Sequence, residues 1–287
     1  MLIFHSAEEL QKNLSSTFLS LGLVPTMGAL HLGHLSLIEK AIKENTKVVI
    51  SIYVNPTQFN RPLDLEKYPK NIEKDFEILR PFKKHLILYI PDHKDIYPKG
   101  IQRKKYDFGS LSQHMEGKVR PGHFDGVATV IEALFKKIKP NKAYFGEKDF
   151  QQLQIIRSLG EKLNLGIEII ACPLIRSNNG LALSSRNSLL SNKQREAATI
   201  IYETFNLINT KASVWSIKKM KLFFKSKVEA KEGFKLEYFC IADSSDLIPV
   251  TYLDSKKNYR IFIAVFAGKT RLIDNVKLVE CNTFTPC

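Results

Sequence analysis

Acidic residues are scarce in this 287-residue chain: 29 Asp and Glu face 43 Lys and Arg, leaving a formal charge of +14 with histidine neutral. Such a deficit first points to polyanionic partners, nucleic acid or an acidic membrane surface. Long apolar runs are missing too. No stretch of about 18 apolar residues occurs, so no membrane-spanning helix is expected. The opening MLIFHSAEEL sets glutamates where an export signal needs its apolar core, so the chain is expected to be soluble and unexported. Cysteine is sparse: Cys172, Cys240, Cys281 and Cys287 form no CxxC pair and are too few for a disulfide framework at this length. They read as reduced thiols of a cytoplasmic protein. Internal repeats and low-complexity tracts are absent. What is present, 44% hydrophobic and 25% charged residues, is the composition of a packed globular protein of one large domain or two smaller ones.

The excess charge is local. Residues 80–105 and 211–235 each carry +6, residues 106–210 carry +3, residues 1–79 carry −1 and residues 236–287 are neutral. Twelve of the fourteen excess charges therefore lie in two short segments, which read as solvated Lys-rich faces. A nucleic-acid binder is expected to interleave its cations with exposed aromatics.

Short β-branched runs alternate with helical patterns through the first two thirds. Strands are expected at 21–25, 47–54, 85–90, 142–145 and 166–172, with helices between them that carry Leu35, Leu37, Ile38, Ala41 and Ile42, or span 71–80, 124–139 and 149–164. Repeated β-α alternation implies an α/β fold, a Rossmann-type doubly wound parallel sheet with its ligand site at the carboxyl ends of the strands. Helices at 191–210 and 215–231, then strands at 235–242 and 260–266 and a closing TRLIDNVKL, imply a smaller C-terminal α+β domain. The expected division is 1–176 and 177–287.

The candidate chemistry lies in the turns. Pro25-Thr26-Met27-Gly28-Ala29-Leu30-His31-Leu32-Gly33-His34 joins the first of these strands to its helix, where backbone N–H groups at a helix N-terminus suit an anionic phosphate. His31 and His34, at i and i+3, can face one side and donate to phosphate oxygens. No G-x-x-x-x-G-K-[ST] loop exists. This turn resembles the HIGH-type signature of nucleotidyltransferases and class I aminoacyl-tRNA synthetases, which implies attack on the α-phosphate of ATP. In Val54-Asn55-Pro56-Thr57-Gln58-Phe59, Asn55 and Gln58 can donate and accept to the hydroxyls and carboxylate of a small polar acid. Arg120-Pro121-Gly122-His123-Phe124-Asp125-Gly126 opens a helix, and Gly146-Glu147-Lys148-Asp149-Phe150-Gln151-Gln152 follows a strand, with Lys148 able to neutralise triphosphate. Leu183-Ser184-Ser185-Arg186 sets two hydroxyls beside a guanidinium, a cluster suited to β- and γ-phosphates.

Taken in order, PTMGALHLGH, YVNPTQF, YPK, RPGHFDGV, FGEKDFQQL, LALSSRN and AGKTRLIDN closely resemble the pantothenate synthetase (pantoate–β-alanine ligase) family over nearly the whole chain. The resemblance implies ATP-dependent condensation of pantoate with β-alanine through a pantoyl adenylate, a C-terminal lid and a homodimer, with no nucleic-acid or membrane partner. It places ATP on Met27, Gly28, Ala29, Leu30, His31, Leu32, Gly33 and His34, with His34 as proton donor. It further assigns the nucleotide to Gly146, Glu147, Lys148 and Asp149, the adenine to the backbone of Ile175, and the phosphates to Leu183, Ser184, Ser185 and Arg186. Gln58 and Gln152 would hold pantoate, and Gln58 would also meet β-alanine. Two departures occur: Tyr68-Pro69-Lys70 where the family has YPR, and Lys74-Asp75 where some members have paired carboxylates. The second leaves Mg²⁺ without an assigned protein ligand, to be held by phosphates and water. Rival readings are another HxGH nucleotidyltransferase, a tRNA-handling synthetase relative and a basic RNA-binding module.

Overall fold

A computed structural model describes residues 1–14 and 19–279. The chain divides into two compact units, Met1–Ser112 with Glu116–Ile175, and Gln113–Met115 with Arg176–Cys287.

In the first unit, β1 (Leu2–Phe4), α1 (Ala7–Asn13), β2 (Leu21–Thr26), α2 (Leu32–Glu44), β3 (Lys47–Ile52), α3 (Pro62–Glu66), α4 (Ile72–Leu79), β4 (Leu86–Tyr89) and α5 (His93–Ile96) come first. After α6 (Met115–Val119), α7 (His123–Ile138), β5 (Lys142–Gly146), α8 (Phe150–Leu163) and β6 (Glu168–Cys172) complete it. The six strands form one parallel sheet in the order β1-β4-β3-β2-β5-β6. Helices cover both faces, so the central strands are apolar without alternation: Leu23, Val24, Val48, Val49, Ile50, Leu88, Ala143 and Tyr144 are all fully buried. From β2 the chain builds outward through β3 to one side, while β5 pairs with β2 on the other. Strand order therefore reverses between β2 and β5, and the crevice beyond their carboxyl ends is where such a sheet binds ligands. The turn after β2 and the Gly146–Asp149 segment after β5 both start there.

The second unit carries α9 (Asn192–Ala197), α10 (Ile200–Asn209) and α11 (Ile217–Glu229), then an antiparallel sheet of β7 (Phe234–Asp243), β8 (Tyr259–Ala267) and β9 (Thr270–Leu278). Its core gathers Phe205, Met220, Phe224, Phe239, Ile261, Ile263 and Val265.

Three expectations need correction. The single helix over 191–210 is two helices, because Ala198 ends α9 and α10 starts afresh at Ile200 without a Gly or Pro to mark the break. The short edge strand β1 and helix α1 had no expected counterpart; Ser6 starts α1 by accepting from the Glu9 N–H. Aromatics also stand among the α11 lysines: the Lys219 ammonium lies 4.8 Å from the centroid of the Trp215 ring and the Lys227 ammonium 5.5 Å from that of Phe223. All the lysines of 211–235 are exposed. Cys172 and Cys240 are free thiols pushed up to about 11 by burial, whereas Cys281 and Cys287 lie outside the described residues. Among the described residues no helix is long and apolar enough to cross a membrane.

Candidate active site

The turn leaving β2 is shaped by a carboxylate 45 residues further on. Gly28 and Ala29 both have positive φ, +77° and +50°, a conformation glycine adopts freely and alanine only under constraint. The constraint is Asp75 of α4, 2% exposed, whose Oδ2 accepts from the Ala29 N–H at 3.0 Å and whose Oδ1 accepts from the Leu30 N–H at 2.7 Å. The Gly28 N–H donates to Thr26 Oγ1 at 3.2 Å. A Cβ at Gly28 would stand 2.9 Å from Asp75 Oδ2, so the close approach of the carboxylate needs the glycine. Burial raises the pKa of Asp75, against the pull of its two N–H donors. The Gly28, Ala29 and Leu30 N–H groups thus already donate within the protein. Asp75→Ala removes both acceptors. It should cost about 1–3 kcal/mol of stability in urea unfolding and raise the KM for ATP; an unchanged midpoint and KM would show that the turn holds itself.

The side chains of the turn are fixed as well. His31 caps α2, its Nδ1 accepting from the Gly33 N–H at 3.1 Å, and the His34 Nδ1 accepts from the His31 N–H at 3.3 Å, closing a reciprocal capping box. A nitrogen that accepts from a backbone N–H carries no proton. Both rings are thereby fixed as the Nε2–H tautomer, and their centroids lie 4.1 Å apart. Burial first, then the Lys148 charge, lowers His31 to about 4; burial, then His31 and Lys148, lowers His34 to about 3. Both are neutral near pH 7. They can donate two Nε2–H hydrogen bonds to developing negative charge. Lys148, in the 3-10 turn after β5, supplies positive charge to the same place; its ammonium lies 3.4 Å from Asp149 Oδ1.

Gln58 ends a 3-10 turn, Pro56–Gln58, after β3. Its Oε1 accepts from Asn55 Nδ2 at 3.0 Å, and its Nε2 donates to Met27 Sδ at 3.2 Å, beside the histidine turn. Asn55 is 1% exposed, and its amide is fully used: it also donates to the Gly126 carbonyl at 3.0 Å and accepts from the Thr57 and Tyr97 hydroxyls. Asn55 thus lies beside Gln58 with its side-chain amide engaged inside the protein. Gly126 permits this, because α7 approaches so closely that a Cβ there would lie 2.4 Å from the Thr57 carbonyl oxygen. Of the paired glutamines on α8, Gln151 is buried and committed, accepting from the Glu116 N–H and donating to the Leu111 carbonyl, while Gln152 is half-buried.

Leu183 to Arg186 belong to the second unit. Ser184 caps a 3-10 turn by accepting from the Arg186 N–H at 3.3 Å. The preceding Arg176↔Ala182 bridge is anchored by Arg176, whose guanidinium donates to both Asp274 carboxylate oxygens at 2.6 and 2.9 Å and lies 4.1 Å from the Tyr202 ring centroid. Ile175 is half-buried at the end of the first unit. Among the described residues no three His, Cys, Asp or Glu gather to hold a metal, and Asp75 is turned to the backbone. Sequence reasoning gave no role to Asp75, Arg120 or His123; the spacing Arg120-x-x-His123 at a helix start was the visible signal for the last two.

A sequence model described as Pantoate-beta-alanine ligase matches residues 2–277. Curated relatives include the pantothenate synthetase of Christiangramia forsetii, 48% identical over 90% of this chain and 92% of its own, and that of Bacteroides fragilis, 41% identical over 98% and 100%. Among solved structures, the pantothenate synthetase of Thermus thermophilus superposes with a TM-score of 0.89 at 36% identity, covering 98% of this chain and 100% of its own. The pantoate-beta-alanine ligase of Francisella tularensis, solved in complex with beta-gamma ATP and beta-alanine, gives 0.80 at 38% identity over 96% and 97%. Agreement of this extent, over both units, makes the chain a member of the pantoate-beta-alanine ligase family.

Proposed function

We propose that this protein joins pantoate to β-alanine at the expense of ATP. In the first step a carboxylate oxygen of pantoate attacks the α-phosphorus, the bond to the bridging oxygen breaks, and pyrophosphate leaves with the electron pair. In the second, the β-alanine amine attacks the pantoyl carbonyl, AMP departs and an amide forms. The observation that carries this reading is the pair of neutral Nε2–H donors on His31 and His34 at the switch point, with Lys148 beside them and the Gln58 amide at Met27. Donors fixed before the reaction stabilise charge that grows in the transition state. No protein nucleophile is required, since the substrate brings its own.

Gln58 and Gln152 hold pantoate, and Leu183 to Arg186 keep the phosphate-binding role that the resemblance gives them, as do Gly146 to Asp149 and Ile175 for the nucleotide. Mg²⁺ enters as part of the nucleotide substrate, because the acidic groups near the turn offer it no cage. Neither histidine has a spare lone pair for the proton that β-alanine must lose, so it passes to a phosphate oxygen or to water. We further read the protein as a cytoplasmic homodimer without a nucleic-acid partner.

Incubation with ATP, pantoate and β-alanine should yield AMP and pantothenate together, and omission of any one substrate should abolish pantothenate. Retention of AMP on an acceptor would favour a nucleotidyltransferase instead. Gln58→Ala should raise the pantoate KM by about tenfold or more, the value of a lost hydrogen bond to a charged group, while sparing ATP. Unchanged pantoate affinity would sink the assignment.

A further inference from the structure

The main-chain carbonyl of Gln58 is held by two side chains, Arg120 in the turn before α7 and His123 at its start. His123 Nδ1–H donates to it at 2.8 Å, and Arg120 Nη2–H donates to it at 3.2 Å. With its proton on Nδ1, His123 presents an Nε2 lone pair, which accepts Arg120 Nη1–H at 3.2 Å. The guanidinium therefore bridges the carbonyl and the ring with two separate N–H groups, a geometry a planar fork satisfies and an ammonium does not. His123 is buried, and burial with the neighbouring Arg120 charge lowers it to about 4, so it is neutral and keeps this tautomer.

The arrangement continues past Arg120. Its guanidinium lies 3.6 Å from the Glu116 carboxylate, and the Glu116 N–H donates to Gln151 Oε1 at 3.1 Å. Gln151 precedes Gln152 on α8. A line of largely buried polar groups thus runs from the carbonyl of one proposed pantoate glutamine to the residue beside the other. Buried polar groups of this kind are rigid when each is satisfied, and a shift of about 1 Å in a substrate-holding group can cost about a hundredfold in rate.

We infer that Arg120 and His123 are positioning residues that fix Gln58 for the acid substrate. The inference rests on the reading of Gln58 as a pantoate contact. Neither side chain touches substrate; both act through the Gln58 backbone, while Asn55 orients the amide.

The test is a double-mutant cycle in steady-state kinetics with pantoate and ATP varied separately. Arg120→Lys keeps the charge and removes the fork, and His123→Gln provides a second variant. Each should raise the pantoate KM about fivefold to tenfold, leave the ATP KM within about twofold and leave thermal stability nearly unchanged in Arg120→Lys. In a Gln58→Ala background, Arg120→Lys should add less than about twofold, because the group it positions is gone. An inert Arg120→Lys beside an impaired Gln58→Ala would overturn the positioning role alone. A full additional loss in the Gln58→Ala background, or equal rises in both KM values, would show a general structural effect and overturn it as well. Should Gln58→Ala itself leave the pantoate KM unchanged, the reading of Gln58 fails and this role falls with it.

Discussion

His34→Ala should slow pantoate-dependent exchange between pyrophosphate and ATP by about a hundredfold, the loss expected when one donor to a developing anion is removed. That corresponds to about 3 kcal/mol of transition-state stabilisation. The ring has two tasks, which a second variant separates. Its Nδ1 accepts the His31 N–H within the capping box, which leaves the proton on Nε2 for the donor role proposed above. Gln at the same helix position can also accept that N–H, so His34→Gln should keep the stability that His34→Ala loses, about 1 kcal/mol, yet recover only part of the rate. Because His31 and His34 titrate far below neutrality, at about 4 and about 3, exchange should show no limb from either ring between about pH 6 and pH 8. Normal exchange with amide formation alone impaired would refute the role given to His34.

The protein should lose stability as pH falls from about 6.5 towards about 4. His31, His34 and His123 have folded pKa values near 4, 3 and 4, against an ordinary 6.5. The sign follows from proton counting. Above pH 6.5 these rings are neutral in both states and add no pH dependence. Between 6.5 and about 4 the unfolded chain binds protons that the folded one refuses, so stability falls as pH falls, and the loss levels off below the folded values. At about pH 5 each ring contributes on the order of 1–2 kcal/mol of destabilisation. Three rings together take a large share of a typical total of about 5–15 kcal/mol. Urea unfolding at about pH 7.5 and about pH 5 should show the drop, and a variant with His123 replaced by Gln should show a shallower one. Equal stability at both pH values would mean that the rings are protonated in the fold.

The sheet was legible because its strands are β-branched runs buried on both faces, and Val48 to Ile50 or Leu86 to Tyr89 can be little else. The edge strand β1 was not, since three residues offer no period to read. The break at Ala198 lacks any helix-stopping residue, so no local signal in the sequence marked it. In the site, the histidine turn, Gln58 and Lys148 stood out because their residue types carry their chemistry. Asp75 did not. Its neighbours Ile72, Phe76 and Leu79 mark an apolar helix face, but nothing in the local sequence names its partners, and only the fold brings it under Ala29 and Leu30. Asn55 shows the converse: its type suits a ligand, but neighbouring hydroxyl, amide and carbonyl groups consume it.

The grip of Asp75 on the turn also bears on how nucleotide arrives. Ordering a residue's backbone carries an entropic cost of about 1–2 kcal/mol, and here that ordering of Gly28 to Leu30 is complete when the chain folds, whether or not ATP is present. Association should therefore be nearly free of loop rearrangement at this turn, with amide hydrogens of Ala29 and Leu30 already slow to exchange with solvent in the empty protein and little slower once it is loaded.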